Sequence, residues 1–395
     1  MTPTGDPPAT MRAAVLYGRR DLRVEQRPVP RPGTGEVLLR VGAVGLCGTD
    51  AAEYAHGPRM MPITAAHPVT RHHGPMVIGH EFSGEVVDVG DGVAPDLRGR
   101  LVASCGAMSC GRCWQCRRGA TNRCVRYAAV GLHRDGAAAG FVAVPVTSCL
   151  PSDELGLGPD AAALAQPMSI AVHASRRGRV AAGERVLLLG AGGIGAFLTY
   201  TLARAGADLV VVDPDSERRG LALRLGARAA LDAAGASGAA AEALSGPPHA
   251  VFEASGTGAG LESALAAMPP GCRLVLVGLQ ERPTQLDLRR LTLTELELIG
   301  TNAMTWEPDF AAALRLVASR AEGWSDVAPT AWPLDELVSA GLDRLAAGNP
   351  PAVKVLVDPW ADRVRPARTR PWPAVTGSQP WPGPEAAPEI AWPDR

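Results

Sequence analysis

The densest group of reactive side chains in the sequence is a run of cysteines. The run has the spacing C-x-x-C-x-x-C followed by one more cysteine, and its members are Cys110, Cys113, Cys116 and Cys124. Four thiolates at loop spacing can close a tetrahedron around zinc. Because such a set leaves no open position for water or substrate, the pattern predicts a structural zinc lobe that takes no part in catalysis.

A glycine-rich turn lies between the apolar run RVLLL and a stretch of helical character. Its residues are Gly190, Gly192, Gly193, Ile194 and Gly195. In this strand-turn-helix context the motif predicts a dinucleotide site, because the glycines permit a tight turn and let a pyrophosphate approach a helix N-terminus. Asp213, which ends the next apolar run, should accept hydrogen bonds from the adenosine ribose and favour NAD over NADP. Arg218 follows closely and could weaken this preference or be a solvated helix residue.

A third candidate group is spread along the chain and is the least specific on its own. Cys47 lies in GLCGTD, and His80 and Glu81 lie in GHEFSGEV. A single cysteine and one His-Glu pair are more often core and surface residues than metal ligands. The presence of the cysteine run and the glycine turn in the same chain raises the weight of a metal-binding role for these three residues.

Two kinds of architecture must position these groups. Short apolar runs such as EVLLRVGAVGL alternate with Pro and Gly clusters after a flexible start at 1–10, which predicts a β-rich domain over 11–160. Over 161–302, apolar runs alternate with Ala- and Leu-rich helical stretches, which predicts a parallel α/β domain. Residues 303–358 return to mixed structure and end in the apolar strand VKVLVDP.

Residues 359–395 form a tail of unusual composition. This segment contains nine prolines and four of the chain's eight tryptophans, in repeated Pro-Trp and Trp-Pro pairs. The composition excludes a helix and predicts a disordered or loosely draped extension. The alternative is a docking segment whose tryptophans pack on another subunit or on a partner.

The overall composition points to no macromolecular partner. The 395 residues include 39 basic and 40 acidic side chains, which provide neither a basic field for nucleic acid nor an acidic tail. The sequence has no run of about 18 apolar residues and no secretory signal pattern, so we expect a cytoplasmic protein without a membrane partner. In a reducing compartment, eight cysteines indicate metal binding or thiol chemistry rather than disulfides.

Taken in order, GLCGTD, GHEFSGEV, the cysteine run and the glycine turn resemble the zinc-dependent medium-chain dehydrogenases. The resemblance spans about residues 11–358, and AAHPVT and AVKVLVDP look most like the 2,3-butanediol and polyol dehydrogenase branch. It implies a GroES-like catalytic domain and a Rossmann domain, a doubly wound parallel sheet inserted before the last catalytic segment. It also implies an active site in the cleft between the domains, and a homodimer or homotetramer.

The same resemblance implies roles for particular residues. Cys47, His80 and Glu81 would bind a catalytic zinc. Thr49 would hydrogen-bond the substrate oxygen and pass its proton outward. The nicotinamide pocket would be lined by Gly278, Leu279 and Thr301. Zinc would act as a Lewis acid on an alcohol oxygen while the alcohol carbon gives a hydride to NAD.

Two positions depart from the family pattern. Gln166 stands where a glutamate commonly precedes the proline of AQPMSIAVHA, and a neutral amide is a poorer zinc ligand than a carboxylate. Ala52 stands where the branch commonly has a histidine that delivers the proton to solvent. Glu53, Tyr54 or His56 could replace that histidine, with Glu53 and His56 ranked equally, or water could reach the proton directly.

Three functions are consistent with these observations. The leading hypothesis is a zinc- and NAD-dependent oxidoreductase that acts on a secondary alcohol, diol or polyol, or on the corresponding ketone. Because of Gln166 and Ala52, the second is a biosynthetic reductase of a C=C or C=N bond, with an altered or absent catalytic zinc. The third is a non-catalytic nucleotide-binding or interaction protein that docks through its tail.

Overall fold

The structure, a computed structural model, describes residues 7–234, 236–280, 282–370 and 381. The chain divides into two compact units. The first unit comprises Met1–Gln166 and Thr305–Arg395, and the second comprises Pro167–Met304. The sequence predicted domain changes after 160 and after 302, a few residues earlier in each case.

Secondary structure covers most of both units. In the described residues the strands are, in chain order, β1 (Thr10–Gly18), β2 (Asp21–Pro28), β3 (Glu36–Leu46), β4 (Met76–Val77), β5 (Glu81–Val89), β6 (Leu101–Ser104), β7 (Ala107–Met108), β8 (Ala128–Ala129), β9 (Phe141–Pro145), β10 (Cys149–Pro151), β11 (Arg185–Leu189), β12 (Asp208–Val212), β13 (Ala229–Leu231), β14 (Ala250–Glu253), β15 (Arg273–Leu276), β16 (Glu297–Gly300), β17 (Thr330–Pro333), β18 (Val355–Asp358) and β19 (Arg365–Pro366).

The α-helices over the same part of the chain are α1 (Gly48–His56), α2 (Pro159–Ala162), α3 (Ala165–Arg177), α4 (Gly193–Arg204), α5 (Ser216–Arg224), α6 (Ala236–Ala243), α7 (Gly258–Ala266), α8 (Leu288–Leu293), α9 (Ala311–Ala318) and α10 (Asp343–Ala346). Short 3₁₀ and π turns connect several of them. None of the helices in the described ranges is both long enough and apolar enough to cross a membrane.

The first unit is built mainly from antiparallel sheet, as the short apolar runs predicted. Its larger sheet has the strand order β10-β6-β5-β3-β18-β17-β19, and β9 also pairs with β3. β3 is the centre of this sheet and is buried along most of its length, because its apolar run EVLLRVGAVGL faces neighbours on both sides. A smaller sheet with the order β2-β1-β4 packs its apolar residues into the same core.

The register of the larger sheet brings three distant parts of the chain to one point. Gly45 pairs with Glu81 at the start of β5, and Leu46 pairs with Val355 at the start of β18. The end of β3, the start of β5 and the start of β18 therefore lie side by side. Helix α1 begins immediately after β3, so its first turn is added to the same location.

The second unit is a parallel sheet with helices between successive strands, which confirms the predicted α/β architecture. The six strands have the order β13-β12-β11-β14-β15-β16 and are all parallel. β11 is followed on one side by β12 and β13 and on the other by β14, β15 and β16. The carboxyl ends of β11 and β14 thus flank a topological switch point, the place where open α/β sheets bind ligands.

The described parts of the two chain ends, residues 7–10 and 359–370, differ from the expectation of flexible extensions. Of residues 1–10, residues 1–6 lie outside the described residues, while Ala9 accepts a backbone hydrogen bond from Val29 (3.1 Å) and Thr10 begins β1. The prediction of a disordered or draped tail is wrong for residues 359–370. This segment includes β19, which extends the sheet of the first unit beyond β17.

Two tryptophans and an arginine fix the tail to its own first unit. The Trp360 indole N–H donates to the Val41 carbonyl (2.7 Å), and the ring lies edge-on to Phe141 at 5.5 Å. The Arg365 guanidinium forms a two-pronged ion pair with the buried Asp160 carboxylate at 2.6 and 2.9 Å. Trp381 packs against the core of the same unit. The other two tryptophans of the tail lie outside the described residues, so the docking alternative applies to them alone.

Candidate zinc and dinucleotide sites

The four cysteines of the predicted lobe come together in space. The Sγ atoms of Cys113 and Cys116 are 3.5 Å apart, those of Cys110 and Cys124 are 3.5 Å apart, and those of Cys113 and Cys124 are 3.9 Å apart. A tetrahedron with zinc–sulfur bonds of about 2.3 Å has edges of about 3.8 Å. The spacing of the thiols therefore fits a bound zinc ion, and none of the four is in a disulfide.

Backbone N–H groups favour the thiolate form of Cys113, whereas burial raises the pKa of Cys116 to about 12 and also raises that of Cys124. Burial raises the pKa of Cys113, but hydrogen bonds from the backbone of Cys116 and Val125 outweigh it and lower that pKa to about 6. The backbone N–H groups of Cys110 and Arg126 point at the Cys124 sulfur, at 3.2 and 3.3 Å. Zinc binds thiolates rather than thiols, so these donors support metal binding.

A second group of potential ligands lies where β3, β5 and α1 meet. One ligand atom each from Cys47, His80 and Glu81 lies within 4.8 Å of the others. Cys47 directly follows β3 and caps helix α1, and Glu81 is the first residue of β5. His80 and Glu81 are buried, whereas Cys47 is partly exposed. A thiolate, an imidazole and a carboxylate form the donor set of a catalytic zinc site. The group is accessible on the side of Cys47, so a zinc ion bound there could also bind a substrate.

Asp50 is a residue of this group that the sequence reasoning missed. Its carboxylate accepts the Cys47 backbone N–H (2.9 Å), and its other oxygen lies 3.3 Å from Nδ1 of His80. Asp50 therefore orients two ligands at once, and the second ring nitrogen of His80 is left for a metal. The motif GLCGTD contained the signal, since an aspartate three residues after a helix N-cap is a capping-box position.

Lys354 is the second residue that the sequence reasoning missed. It precedes β18 and forms a buried ion pair with Glu81, in which both side chains are almost fully excluded from solvent. The sequence did contain a signal, because Lys354 is the only lysine of a chain that has arginine at all its other basic positions. The Lys354 side chain packs closely against Gly45, because a Cβ atom built on Gly45 would lie only 3.1 Å from Cε of Lys354.

Charge and unsatisfied polar atoms indicate that this site fits a divalent cation. With Cys47 as thiolate, the negative charges of Cys47, Asp50 and Glu81 exceed the one positive charge of Lys354 by two. Among the described residues, Oε1 of Glu81 is buried without a hydrogen-bond partner. Burial lowers the pKa of His80, but Asp50 and Cys47 outweigh this effect and raise it well above its usual value. The site thus favours added positive charge, which a metal ion supplies.

The predicted proton-relay residues occupy different environments. Oγ1 of Thr49 lies 3.8 Å from Sγ of Cys47, at the edge of the ligand group. The Glu53 carboxylate is buried and accepts the backbone N–H groups of Arg59 (2.9 Å) and Met60 (2.8 Å). Glu53 therefore fixes the loop after α1, which argues against its predicted role as a proton carrier. His56 is exposed at the last residue of α1.

Two further sequence candidates lie at buried positions. Gln166, the second residue of α3, is buried in the first unit. Tyr54 is also buried, and this burial raises the pKa of its phenol above the usual value, which makes it a poor proton carrier near neutral pH. The cysteines outside the two groups, Cys105, Cys149 and Cys272, are buried as expected for core residues, and burial raises the pKa of each thiol.

The glycine-rich turn of the second unit has the geometry that the motif predicted. Gly190 has a φ of 94°, a conformation that favours glycine, and Gly192 is the N-cap of α4. A Cβ atom at Gly195 would lie 2.0 Å from the Gly190 carbonyl oxygen, so any larger residue would force the helix away from the turn. Gly193 and Ile194 open α4 and present backbone N–H groups at its positive end.

Asp213 and its neighbours define the far side of the turn. The Asp213 carboxylate accepts the backbone N–H groups of Ala191 (2.7 Å) and Asp215 (2.9 Å), so it ties the glycine turn to the end of β12. Arg219 donates to the Asp213 carbonyl (2.8 Å) and pairs with Asp232. Arg218 instead lies beside the turn, with its guanidinium 3.7 Å from a Cβ built on Gly192.

The residues expected to line a nicotinamide pocket follow the next two strands of the sheet. Gly278 and Leu279 come just after β15, and Thr301 comes directly after β16. The Gly278 N–H donates to the Glu253 carbonyl (2.9 Å), and a Cβ at Gly278 would lie 2.3 Å from the backbone nitrogen of Gly256. Leu279 is 77% exposed. These residues therefore surround the carboxyl edge of the sheet, next to the switch point.

Comparison with known proteins agrees with the fold. Residues 33–154 match the alcohol dehydrogenase GroES-like domain, and residues 193–319 match the zinc-binding dehydrogenase domain. The chain is 33% identical to L-galactonate-5-dehydrogenase of Escherichia coli over 78% of its length and 88% of that protein. It is 29% identical to (R,R)-butanediol dehydrogenase of Bacillus subtilis, over 88% of its own length and 100% of that protein.

A solved structure supports the same assignment. The crystal structure of 2R,3R-butanediol dehydrogenase from Bacillus subtilis superimposes with a TM-score of 0.80 at 28% identity, and covers 88% of this chain and 99% of that one. Fold and sites thus define a zinc-dependent oxidoreductase. The chain belongs to the zinc-dependent medium-chain alcohol dehydrogenase family. Membership in this family makes it an enzyme, against the hypothesis of a non-catalytic binding protein.

Proposed function

We propose that this enzyme oxidises a secondary hydroxyl group of a diol, polyol or sugar-derived acid with NAD, and reduces the corresponding ketone in reverse. The observation that carries the proposal is the group Cys47, His80 and Glu81, which combines a zinc donor set with an accessible side. The relatives named above act on L-galactonate and on (R,R)-butanediol, and a further one is a sorbitol dehydrogenase from Bombyx mori. A secondary alcohol is the group that these substrates share.

In this proposal Cys47, His80 and Glu81 hold the catalytic zinc, and Gln166 from α3 is a weak further ligand that the substrate oxygen displaces. When bound, zinc supplies Lewis acidity at the hydroxyl oxygen, and NAD accepts the hydride from the carbon. Asp50 keeps the His80 ring oriented, and Lys354 neutralises part of the charge of Glu81. The cysteines 110, 113, 116 and 124 hold a second zinc ion whose role is structural.

Thr49 is the residue that we assign to the substrate hydroxyl. Its own hydroxyl stands 3.8 Å from the Cys47 sulfur, close enough to hold a proton at the oxygen that reacts. Because the carboxylate of Glu53 is engaged with backbone N–H groups, the proton should leave Thr49 through water or through the exposed His56. Water as the carrier agrees with the loss of the family histidine at Ala52.

For the cofactor we propose NAD, bound at the glycine turn. The free N–H groups at the start of α4 would receive the pyrophosphate, and the remaining lone pairs of Asp213 would accept the ribose hydroxyls. Arg218 would lie beside the phosphates. The negative charge of Asp213 repels a 2′-phosphate, which favours NAD over NADP. Gly278, Leu279 and Thr301 would line the nicotinamide pocket.

We also propose that the enzyme is a homodimer or homotetramer that pairs through the edge of the second unit. β16 is the edge strand of the parallel sheet, and the adjacent helix α8 exposes apolar side chains, with Leu288 66% and Leu293 67% exposed. An open strand edge next to exposed leucines is a surface that a second copy can cover. A cytoplasmic location is supported by eight cysteines that form no disulfide.

The test is NAD reduction, followed by absorbance, with 2,3-butanediol, sorbitol and L-galactonate as substrates. We expect turnover of at least one, its loss when a chelator empties the open site, and its return when zinc is added. NADP replaces NAD as a matched control for the role of Asp213. Alcohol turnover that survives removal of that zinc would contradict the role assigned to the site, and absence of alcohol turnover in the zinc-loaded protein would favour reduction of a C=C or C=N bond instead.

A further inference from the structure

Two histidines that the proposed chemistry does not use lie against each other in the first unit. The ring centroids of His67 and His133 are 4.5 Å apart with an interplanar angle of 31°. Both side chains are partly buried. The loop that carries His67 is tied to His133 by a hydrogen bond from the Thr70 hydroxyl to the His133 carbonyl (2.5 Å). Two loops far apart in sequence are thus held together at the point where the rings meet.

Backbone donors fix the tautomer of both rings. The Ala129 N–H donates to Nδ1 of His133 (2.9 Å), and the Thr70 N–H donates to Nδ1 of His67 (3.1 Å). A ring nitrogen that accepts a hydrogen bond from a backbone N–H carries no proton, so in the neutral ring the proton resides on Nε2. Each histidine therefore presents an Nε2–H donor in a fixed direction.

Burial disfavours the protonated form of both rings. Burial lowers the pKa of His67, and it lowers the pKa of His133 to about 4, with further contributions from His67 and His80. A neutral ring whose Nδ1 is already occupied neither carries protons readily nor offers Nε2 as a metal ligand. A role in binding oxygen acceptors remains, because Nε2–H groups can donate hydrogen bonds to them.

The segment that carries His133 runs directly against the proposed zinc site. A Cβ atom at Gly131 would lie 2.9 Å from the His80 backbone nitrogen, and the Val130 N–H donates to the Gly106 carbonyl (2.9 Å). Gly106 also lies against His80, because a Cβ atom built on Gly106 would lie 3.1 Å from the His80 carbonyl oxygen. The segment that carries His133 is thus packed against the backbone of the metal ligand His80, in the same unit.

Within the described part of the chain, neither Nε2 atom has a hydrogen-bond partner, and both side chains keep some exposure. We propose that His67 and His133 form a substrate subsite, in which their Nε2–H groups bind oxygen atoms of the substrate remote from the reacting carbon. The inference rests on the proposed function and narrows it. A polyhydroxylated substrate, with a hydroxyl or carboxylate at its far end, engages this subsite, whereas a four-carbon diol does not reach it.

The test compares His133→Ala and His67→Ala with His73→Ala, a matched control at an exposed histidine of the same loop. Binding of sorbitol, L-galactonate and 2,3-butanediol to the zinc-loaded protein with NAD is measured by calorimetry, and KM and kcat are measured for whichever substrates turn over. We expect about a tenfold loss of affinity for the long substrates, since one hydrogen bond is removed, with little change in kcat or in butanediol binding.

Comparing the substrates with one another, and adding the variant His133→Gln, separates a substrate contact from a structural defect. A larger loss for L-galactonate than for sorbitol identifies a carboxylate as the bound group, and equal losses identify hydroxyl groups. His133→Gln retains an N–H donor and should restore most of the affinity, which a merely structural defect would not allow. Unchanged affinities, or equal losses for all three substrates, overturn the subsite. Absence of turnover in the wild type contradicts the proposed function instead, while the calorimetry still tests the subsite.

Discussion

The two proposed metal sites of the first unit are built in opposite ways. The cysteine lobe takes all four ligands from within 15 residues, uses one donor type and leaves no coordination position open. The other site takes Cys47 from the end of β3 and His80 and Glu81 from the start of β5, and the charges of Asp50 and Lys354 complete it. The lobe is a local motif, whereas the second site exists only once the sheet has formed.

This difference indicates what each site is for. A closed set of four thiolates satisfies zinc completely, so its binding energy stabilises the fold. The second set has three ligands in place of four and keeps Cys47 partly exposed, so a position on the metal stays available for a substrate oxygen. Stability and catalysis should therefore be separable by single substitutions.

The largest expected effect comes from removing a ligand of the open site. Cys47→Ala should lower kcat/KM by at least about 1000-fold, equivalent to about 4 kcal/mol of transition-state stabilisation, because zinc no longer acts on the substrate oxygen. The thermal midpoint should change little. Steady-state kinetics and thermal unfolding check this together. If the variant retained activity, Cys47 would have no part in catalysis, and the two metal sites would not differ in role as proposed.

A matched substitution in the lobe should have the opposite profile. Cys113→Ala should lower the free energy of unfolding by about 4 kcal/mol, since loss of a structural metal is among the most destabilising changes. Molecules that stay folded should keep most of their turnover per active site. Denaturant unfolding and active-site titration measure the two quantities. A stable but inactive variant would instead place the lobe in the chemistry.

Substitution of Lys354 tests how charge is balanced at the open site. Lys354→Met should destabilise the protein by roughly 3 to 5 kcal/mol, because it leaves the Glu81 carboxylate buried without its partner. Adding Glu81→Gln to the same variant should recover much of this loss, although it also weakens the metal site. Denaturant unfolding of the single and double variants provides the check. Equal stabilities of the two would show that the unpaired Glu81 carboxylate is not what destabilises the single variant.

The smallest predicted effect concerns the orientation of His80. Asp50→Asn should weaken zinc binding at the open site about 10- to 100-fold, as expected for loss of a carboxylate behind a ligating imidazole. Competition with a chelator of known affinity measures this directly. Zinc in the cysteine lobe is the internal control and should be unaffected. Unchanged affinity at the open site would mean that Asp50 serves only as a helix cap.

Much of the fold and the local motifs could be predicted from the sequence. The period of the apolar runs identified both architectures, and the spacing of Cys110 to Cys124 and of Gly190 to Gly195 identified groups that are contiguous in the chain. Lys354 and the pairing of His67 with His133 could not be found this way. Their partners lie far apart in sequence and meet only through sheet register and loop packing.

The tail shows a limit of a different kind. The described residues 359–370 contain no helix, as the prolines predicted, but composition does not reveal whether an extended segment finds partners. Trp360 and Arg365 are fixed by Val41 and Asp160, residues that lie far from the tail in sequence. The Glu53 carboxylate is a similar case, because only the folded loop shows that backbone donors already occupy it.

The central claim is that one chain holds two zinc ions with different roles. The most direct test is the zinc content per chain of protein purified without chelators, measured for the wild type, Cys47→Ala and Cys113→Ala. Two zinc ions in the wild type and one in each variant is the predicted result. A single zinc ion in the wild type, retained by Cys47→Ala and lost from Cys113→Ala, would show that the open site holds no metal and would contradict the account.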